Sequence, residues 1–209
     1  MPMQQIVHLF LFDGFADWES GFAIAGLNSP AFQRCPGRFR VQTAARTLEP
    51  VASMGGLHIL PDLLLEELTP SSSAMLILPG GSAWDAQENP DAVEVARSFL
   101  GAGVPVAAIC GATAGLARGG LLDHRRHTSN AREYLAATDY SGRDQYEDAP
   151  AVTDGNLITA AGTAPLDFAC HIFRRLEVFT PQVLESWFLL FKTGESKHYE
   201  ALMASLLQA

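Results

Sequence analysis

Cys110 is the residue of this chain best placed to do chemistry. The apolar run Val104 to Ile109 ends at it, and the small residues Gly111 and Ala112 follow where a helix must begin. So tight a turn from strand to helix needs small neighbours. It leaves the central side chain projecting from the top of the sheet, as in a nucleophile elbow. A sulfur there also meets the partial positive charge of a helix N-terminus, which favours thiolate over thiol. A free cysteine is more often a small buried hydrophobe, but the order strand, Cys, Gly-Ala favours the nucleophile.

Groups able to assist it come from neighbouring strand ends, because ligands of an open parallel sheet gather outside its carboxyl edge. The strand ending at Leu78 delivers Pro79-Gly80-Gly81. The N–H groups of Gly80 and Gly81, with that of Gly111, are expected to hold a developing oxyanion. The first strand runs into Phe12-Asp13-Gly14-Phe15-Ala16-Asp17-Trp18-Glu19, which offers Asp17 or Glu19 as an acid. A carboxyl partly buried by Trp18 and Phe15 holds its proton nearer neutrality and can donate it to the sulfur or to a substrate. The order of residues does not choose between the two acids, and either also suits the first turn of a helix. Trp84, just after the diglycine, reads equally as a pocket wall and as ordinary core.

The elements that must position these groups alternate. Ile6–Phe12 is a nearly unbroken apolar run, as a strand covered on both faces requires, with His8 a satisfied core histidine within it. Phe39–Ala45 is a second strand, Leu57–Leu60 a short edge strand, and Ala74–Leu78, Val104–Ile109 and Leu157–Ala161 complete the set. Helices are expected from Asp17 to about Leu27, over Asp91–Leu100, Gly111–Arg118 and Arg132–Ala137, and over Pro165–Leu176. Strand and helix in alternation imply an α/β fold, a mostly parallel sheet with helices on both faces. No linker or repeat divides residues 1–209, which read as one domain with 178–209 as a helical C-terminal extension. Its stripes Val183, Trp187, Leu190, Phe191 and Tyr199, Leu202, Met203, Leu206 are expected to pack within the molecule, with a dimer seam as the alternative.

Composition excludes several classes. The net charge of −9, with 14 scattered Lys and Arg, argues against nucleic-acid binding. Ile6–Phe12 is too short to span a membrane and lacks the basic start of a signal peptide. Three widely spaced cysteines have neither zinc spacing nor the look of a disulfide framework. A soluble protein of the reducing cytoplasm, with no metal, is expected. Cys35 is read as a loop thiol and Cys170 as core.

Taken together, these segments resemble the ThiJ/PfpI superfamily, the class I glutamine amidotransferase-like fold, over roughly the first 177 residues. The resemblance rests on Phe12-Asp13-Gly14-Phe15 with an acid four positions on, and on Leu76-Ile77-Leu78-Pro79-Gly80-Gly81. It also rests on Ala107-Ala108-Ile109-Cys110-Gly111, on Ala114-Gly115-Leu116-Ala117, on Gly120-Leu121-Leu122-Asp123 and on Gly162 to Ala169. It implies a flavodoxin-like three-layer sandwich, usually a homodimer without a cofactor, with Cys110 as nucleophile and Glu19 as the carboxyl that hydrogen-bonds it. Relatives with protease-like or deglycase-like activity often carry a histidine where this chain has Asn130. His127 lies three positions earlier, an odd offset that points to the opposite face of an extended strand. A Cys-His dyad, and with it protease or glutaminase chemistry, is therefore disfavoured. The pair His198 and Glu200 follows a polar stretch rather than a buried strand, so His198 reads as a surface helix residue. The expectation is a cysteine-dependent hydrolase or lyase acting on a small electrophile, with an oxidative-stress sensor or chaperone-like protein working through oxidation of Cys110 as the alternative.

Overall fold

The computed structural model describes residues 4–206, so the last three residues of the predicted C-terminal extension lie outside the described residues. Seven strands form the main sheet: β1 (Gln5–Phe10), β2 (Phe39–Ala45), β5 (Leu63–Leu64), β6 (Met75–Leu78), β7 (Val106–Ile109), β8 (Ala151–Asp154) and β9 (Leu157–Ala160). Their order is β5-β2-β1-β6-β7-β9-β8. Every pairing is parallel except β8 with β9. The central strands β6, β7 and β9 are buried at every position, as a sheet covered on both faces demands.

One face carries α1 (Asp17–Asn28) and α5 (Pro165–Leu176), and the other carries α2 (Pro90–Gly101) and α3 (Gly111–Arg118). The short α4 (Arg132–Ala136) packs on α3. This is the flavodoxin-like sandwich, and the predicted strands and helices lie within a few residues of the observed ones. Beyond it, α6 (Pro181–Thr193) packs on α5, and α7 (Ser196–Leu206) packs on α6. Thr180 caps α6 by accepting from the Val183 N–H at 3.3 Å. Trp187 stacks edge-on with Phe22 and Phe173, which fastens α6 to α1 and α5. No helix among the described residues is long and apolar enough to cross a membrane.

Three expectations need correction. Within Leu57–Leu60, only His58–Ile59 (β4) is extended. It pairs antiparallel with Val51–Ala52 (β3) in a separate hairpin, because the chain turns at Gly55-Gly56 rather than continuing to the sheet. The true edges are β5 and β8, both too short or too polar to show an apolar run. The predicted second stripe of the extension packs only through Leu202, while Tyr199, Met203 and Leu206 are exposed.

Three histidines, His8 and His127 buried and His171 half-buried, lie in this frame. His8 bonds Ser73 at 2.9 Å, His127 bonds the Arg125 carbonyl at 2.7 Å, and His171 bonds Thr153 at 2.7 Å. Burial holds all three below their ordinary value of 6.5. The unfolded chain therefore takes up protons first as the pH falls. The histidines' contribution to stability is expected to be retained above pH 6.5 and to decline below it. Urea unfolding midpoints between pH 8 and pH 5 check this, and His8→Gln should flatten part of the slope.

Candidate active site

The elbow forms as the spacing requires. Cys110 continues the sheet by donating its N–H to the Ala160 carbonyl at 3.0 Å. It then turns sharply, with φ +58° and ψ −126°, into the N-terminus of α3. That conformation is costly for a residue with a side chain and is held by its surroundings. The hydroxyl of Thr113 donates to the Cys110 carbonyl at 2.6 Å and shares a second 2.6 Å hydrogen bond with the Ser129 hydroxyl. One buried pair thus ties the elbow to the segment that carries Asn130.

Glu19 comes to the sulfur from the first turn of α1 and is only 1% exposed. Its Oε2 accepts the Gly80 N–H at 2.6 Å, and its carboxyl also hydrogen-bonds Cys110. Two glycines close on this pair. A Cβ on Gly80 would lie 2.6 Å from the Cys110 Cβ and 2.7 Å from Glu19 Oε2, and one on Gly162 would lie 2.8 Å from the sulfur and 3.1 Å from Glu19 Oε1. Any side chain at either position would push the acid and the thiol apart. The ends of β1, β6, β7 and β9 therefore converge on one point beside the switch in strand order between β1 and β6.

Asn130 stands against the sulfur from the other side. Its Oδ1 accepts the Gly162 N–H at 2.8 Å, which orients the amide so that Nδ2 donates to Cys110 Sγ at 3.4 Å. His127 is fully buried elsewhere. Its Nδ1 donates to the Arg125 carbonyl, and its Nε2 meets the Tyr140 hydroxyl at 3.1 Å. His127 therefore does not reach the sulfur.

Other candidates also fall away from the sulfur. Asp17 accepts from the Ser53 hydroxyl and the Gly55 N–H, tying down the β3–β4 hairpin. Trp84 is 2% exposed and donates its indole N–H to the Pro79 carbonyl at 2.8 Å. It packs behind the elbow against Gly111 and Gly115 rather than over the thiol. The Gly80 N–H is committed to Glu19, which removes it as an oxyanion donor. The Gly81 N–H has no partner among the described residues, and the Gly111 N–H points to the sulfur. Among the described residues, no three His, Cys, Asp or Glu side chains gather as a metal site. Gly162, Thr113 and Ser129 were not singled out as site residues. Only the glycine directly after a buried strand offered a signal.

Electrostatics correct the expectation of a thiolate favoured by the helix end alone. Burial first, and then the charge of Glu19, push the Cys110 thiol up to about 11, against the pull of Asn130 and of the Gly111 N–H. Burial also raises Glu19, against the Gly80 N–H and the contact with Cys110. The pair therefore gives up one proton far more readily than two, and the remaining proton is shared.

The fold and the elbow place the chain among flavodoxin-like sandwich proteins with a cysteine at a strand-to-helix turn. It belongs to the DJ-1/PfpI family, whose family model matches residues 5–175. The chain is 40% identical over 203 residues to the uncharacterized protease YoaZ of Bacillus subtilis (strain 168), covering 96% of this chain and 97% of that one. Among solved structures, the thiJ/pfpI family protein from Bacillus anthracis is 41% identical, with 97% of each chain covered and a TM-score of 0.91. The DJ-1 superfamily protein Atu0886 from Agrobacterium tumefaciens is 33% identical, with 90% of this chain and 97% of that chain covered and a TM-score of 0.80.

The raised Glu19 has a consequence for stability. Its contribution is complete below the unfolded value of 4.5 and is lost as the pH rises through the folded value. As the pH rises through that folded value, the protein takes on the penalty of a buried carboxylate. Glu19→Gln keeps an acceptor for Gly80 without the charge, and is expected to raise the Tm at pH 8 by about 2 °C or more. The difference should shrink toward pH 4.5, and thermal unfolding followed by circular dichroism measures both.

Proposed function

We propose that the protein is a cysteine-dependent enzyme acting on a small electrophilic compound, with Cys110 as nucleophile and Glu19 as its acid. The observation that carries this reading is the buried Glu19 carboxyl held against the Cys110 sulfur between Gly80 and Gly162. In the reactive form the shared proton sits on Glu19. The charge that repels a thiolate is then gone, and the carboxylic acid, the Asn130 amide and the Gly111 N–H all donate to sulfur. The thiolate attacks a carbonyl or similar carbon, a sulfur–carbon bond forms, and the π electrons move to oxygen. That oxygen is met by the Gly81 N–H and takes the proton from Glu19. Glu19 takes that proton back and passes it to the leaving group as the adduct collapses to a thioester. Water, giving a proton to Glu19, then attacks the thioester to release the acid and restore the Cys110 thiol.

Asn130 narrows the chemistry. Its oriented amide donates to sulfur and cannot take up a proton, so Glu19 is the one acid–base group at the thiol. With Glu19 as the acid–base group in contact with the thiol among the described residues, small activated electrophiles are favoured over peptide amides, the substrate class suggested by the protease name of the Bacillus subtilis relative. The same donors around the sulfur would also hold the oxygens of a sulfinate. This supports a second reading, a non-catalytic sensor in which peroxide oxidises Cys110.

The test compares the wild type with Cys110→Ala and Glu19→Gln on glyoxals, isonitriles, glutamine and peptide amides. Turnover of at least one small electrophile is expected, falling by about 100-fold or more in both variants. Iodoacetamide labelling of Cys110 at pH 7 should slow in Glu19→Gln. Labelling as fast or faster in Glu19→Gln would mean that the carboxyl passes no proton in support of the thiolate, and would overturn its role as acid. If no compound is turned over and peroxide converts Cys110 stoichiometrically to sulfinate, the sensor replaces the enzyme.

The reading includes a homodimer. Two apolar faces are exposed, one with Trp18, Met54, Leu57 and Leu60, the other with Phe191, Tyr199, Met203 and Leu206. Sedimentation velocity is expected to show a dimer that either Leu60→Glu or Tyr199→Glu dissociates. A monomer at micromolar concentration removes this part of the reading.

A further inference from the structure

Two buried hydroxyls beside the elbow take no part in the chemistry proposed above. Thr113 is fully buried and Ser129 is 3% exposed. They meet each other at 2.6 Å, and Thr113 Oγ1 stands 2.6 Å from the Cys110 carbonyl oxygen. The proton positions follow from the groups themselves. A carbonyl only accepts, so the single Thr113 hydroxyl proton goes to Cys110. The Ser129 hydroxyl is then the donor to Thr113. The Cys110 carbonyl also accepts the Thr113 N–H at 3.1 Å, so one residue occupies both of its lone pairs.

Ser129 immediately precedes Asn130, whose Nδ2 reaches Cys110 Sγ at 3.4 Å. The segment carrying that amide is tied on its other side to β9 and its surroundings. Thr128 donates its N–H to Thr159 Oγ1 at 2.9 Å and its hydroxyl to the Ala149 carbonyl at 2.7 Å. Asn130 accepts the Gly162 N–H at 2.8 Å. Among the described residues, the Ser129–Thr113 bond is the one hydrogen bond from segment 127–130 to α3 itself. It fixes how far that segment stands from the elbow.

We propose that Thr113 and Ser129 are positioning residues that set the reactivity of Cys110 through Asn130, by holding its amide within reach of the sulfur. The proposal rests on Cys110 being the reactive thiol, in the enzyme and the sensor alike. An amide donor favours the thiolate over the thiol, and that benefit falls as the bond lengthens or tilts. Without the Thr113 hydroxyl, Ser129 keeps a buried hydroxyl that has lost its acceptor, a cost the segment relieves by shifting. Thr113→Ser keeps both hydrogen bonds, whereas Thr113→Val keeps the shape and loses them.

Iodoacetamide is the probe, and its rate of labelling Cys110, located by mass spectrometry, is followed against pH in the full chain. Thr113→Val is expected to slow labelling at pH 8 by about threefold or more, the worth of one modest hydrogen bond, and to move the rate profile to higher pH. Asn130→Ala should do the same, and the double variant should be no slower than Asn130→Ala alone. Thr113→Ser should restore the wild-type rate. A merely structural loosening would instead speed labelling or add to the effect of Asn130→Ala. In ¹⁵N-labelled protein, the Asn130 side-chain amide resonances should shift in Thr113→Val and keep their place in Thr113→Ser. Circular dichroism checks folding; should Thr113→Val fail to fold, Ser129→Ala takes its place with the same expectations. Unchanged or faster labelling, an additive double variant, no rescue by Thr113→Ser, or an unmoved Asn130 amide overturns the proposal while the nucleophile reading stands. Wild-type Cys110 that resists labelling at every pH overturns the nucleophile reading and this proposal with it.

Discussion

The burial of the Glu19 carboxyl against the Cys110 sulfur is the constraint on which the rest of this molecule depends. Two acids placed together out of water cannot both ionise, since each charge lacks solvation and repels the other. The pair therefore holds a proton in common, and the surroundings decide where it sits. The Gly80 N–H favours a charge on the carboxyl, and the Gly111 N–H and Asn130 amide favour one on sulfur. Such a contact exists only because β1, β6, β7 and β9 end at one height. A shift of β9 by one residue would put Ala161 or Thr163 where Gly162 stands and push the pair apart.

Around that contact the fold invests in positioning rather than in additional acids or bases. Cys110 keeps its left-handed turn because its N–H stays in the sheet and its carbonyl is held by Thr113. Thr113 in turn meets Ser129, one residue before Asn130, and Asn130 is oriented by the Gly162 N–H. A single chain of hydrogen bonds thus runs from the elbow through the Asn130 segment to the end of β9 and back to the sulfur. Asn130 makes a polar contact with the sulfur and, as an amide, transfers no proton there.

Much of the scaffold was legible in the linear order of residues. Buried strands announce themselves as unbroken apolar runs, and Pro165 or the Gly111-Ala112 step marks helix starts by simple sterics. The edges were not legible. Leu63–Leu64 is two residues long, and Ala151–Asp154 is half polar because one side of it meets solvent. The hairpin of Val51–Ala52 with His58–Ile59 departs from the sheet at a turn whose direction no local pattern records. Tyr199, Met203 and Leu206 show the same limit from the other side. Their helical spacing is regular, yet the face they form is exposed among the described residues, because periodicity specifies a face and not what covers it.

For the candidate site, residue types and order were enough to place Cys110 on an elbow and to bring Gly80-Gly81 and an acid to the same sheet edge. Those features follow from steric rules that act over a few residues and from the common direction of parallel strands. The family resemblance pointed to Glu19 over Asp17, and the tertiary structure shows why. Asp17 turns to the Ser53 hydroxyl and the Gly55 N–H, while Glu19, two residues on, faces inward. Only the folded chain assigned the Gly80 N–H to the acid instead of to an oxyanion, put His127 beside Tyr140, and set Asn130 on the sulfur. It also revealed Gly162 as the other wall of the pair. The hydrogen bonds among these contacts join residues from 13 apart, His127 with Tyr140, to 61 apart, Gly80 with Glu19, and the sign of a pKa shift depends on summed burial and charge around them. Neither quantity exists until the strands are side by side.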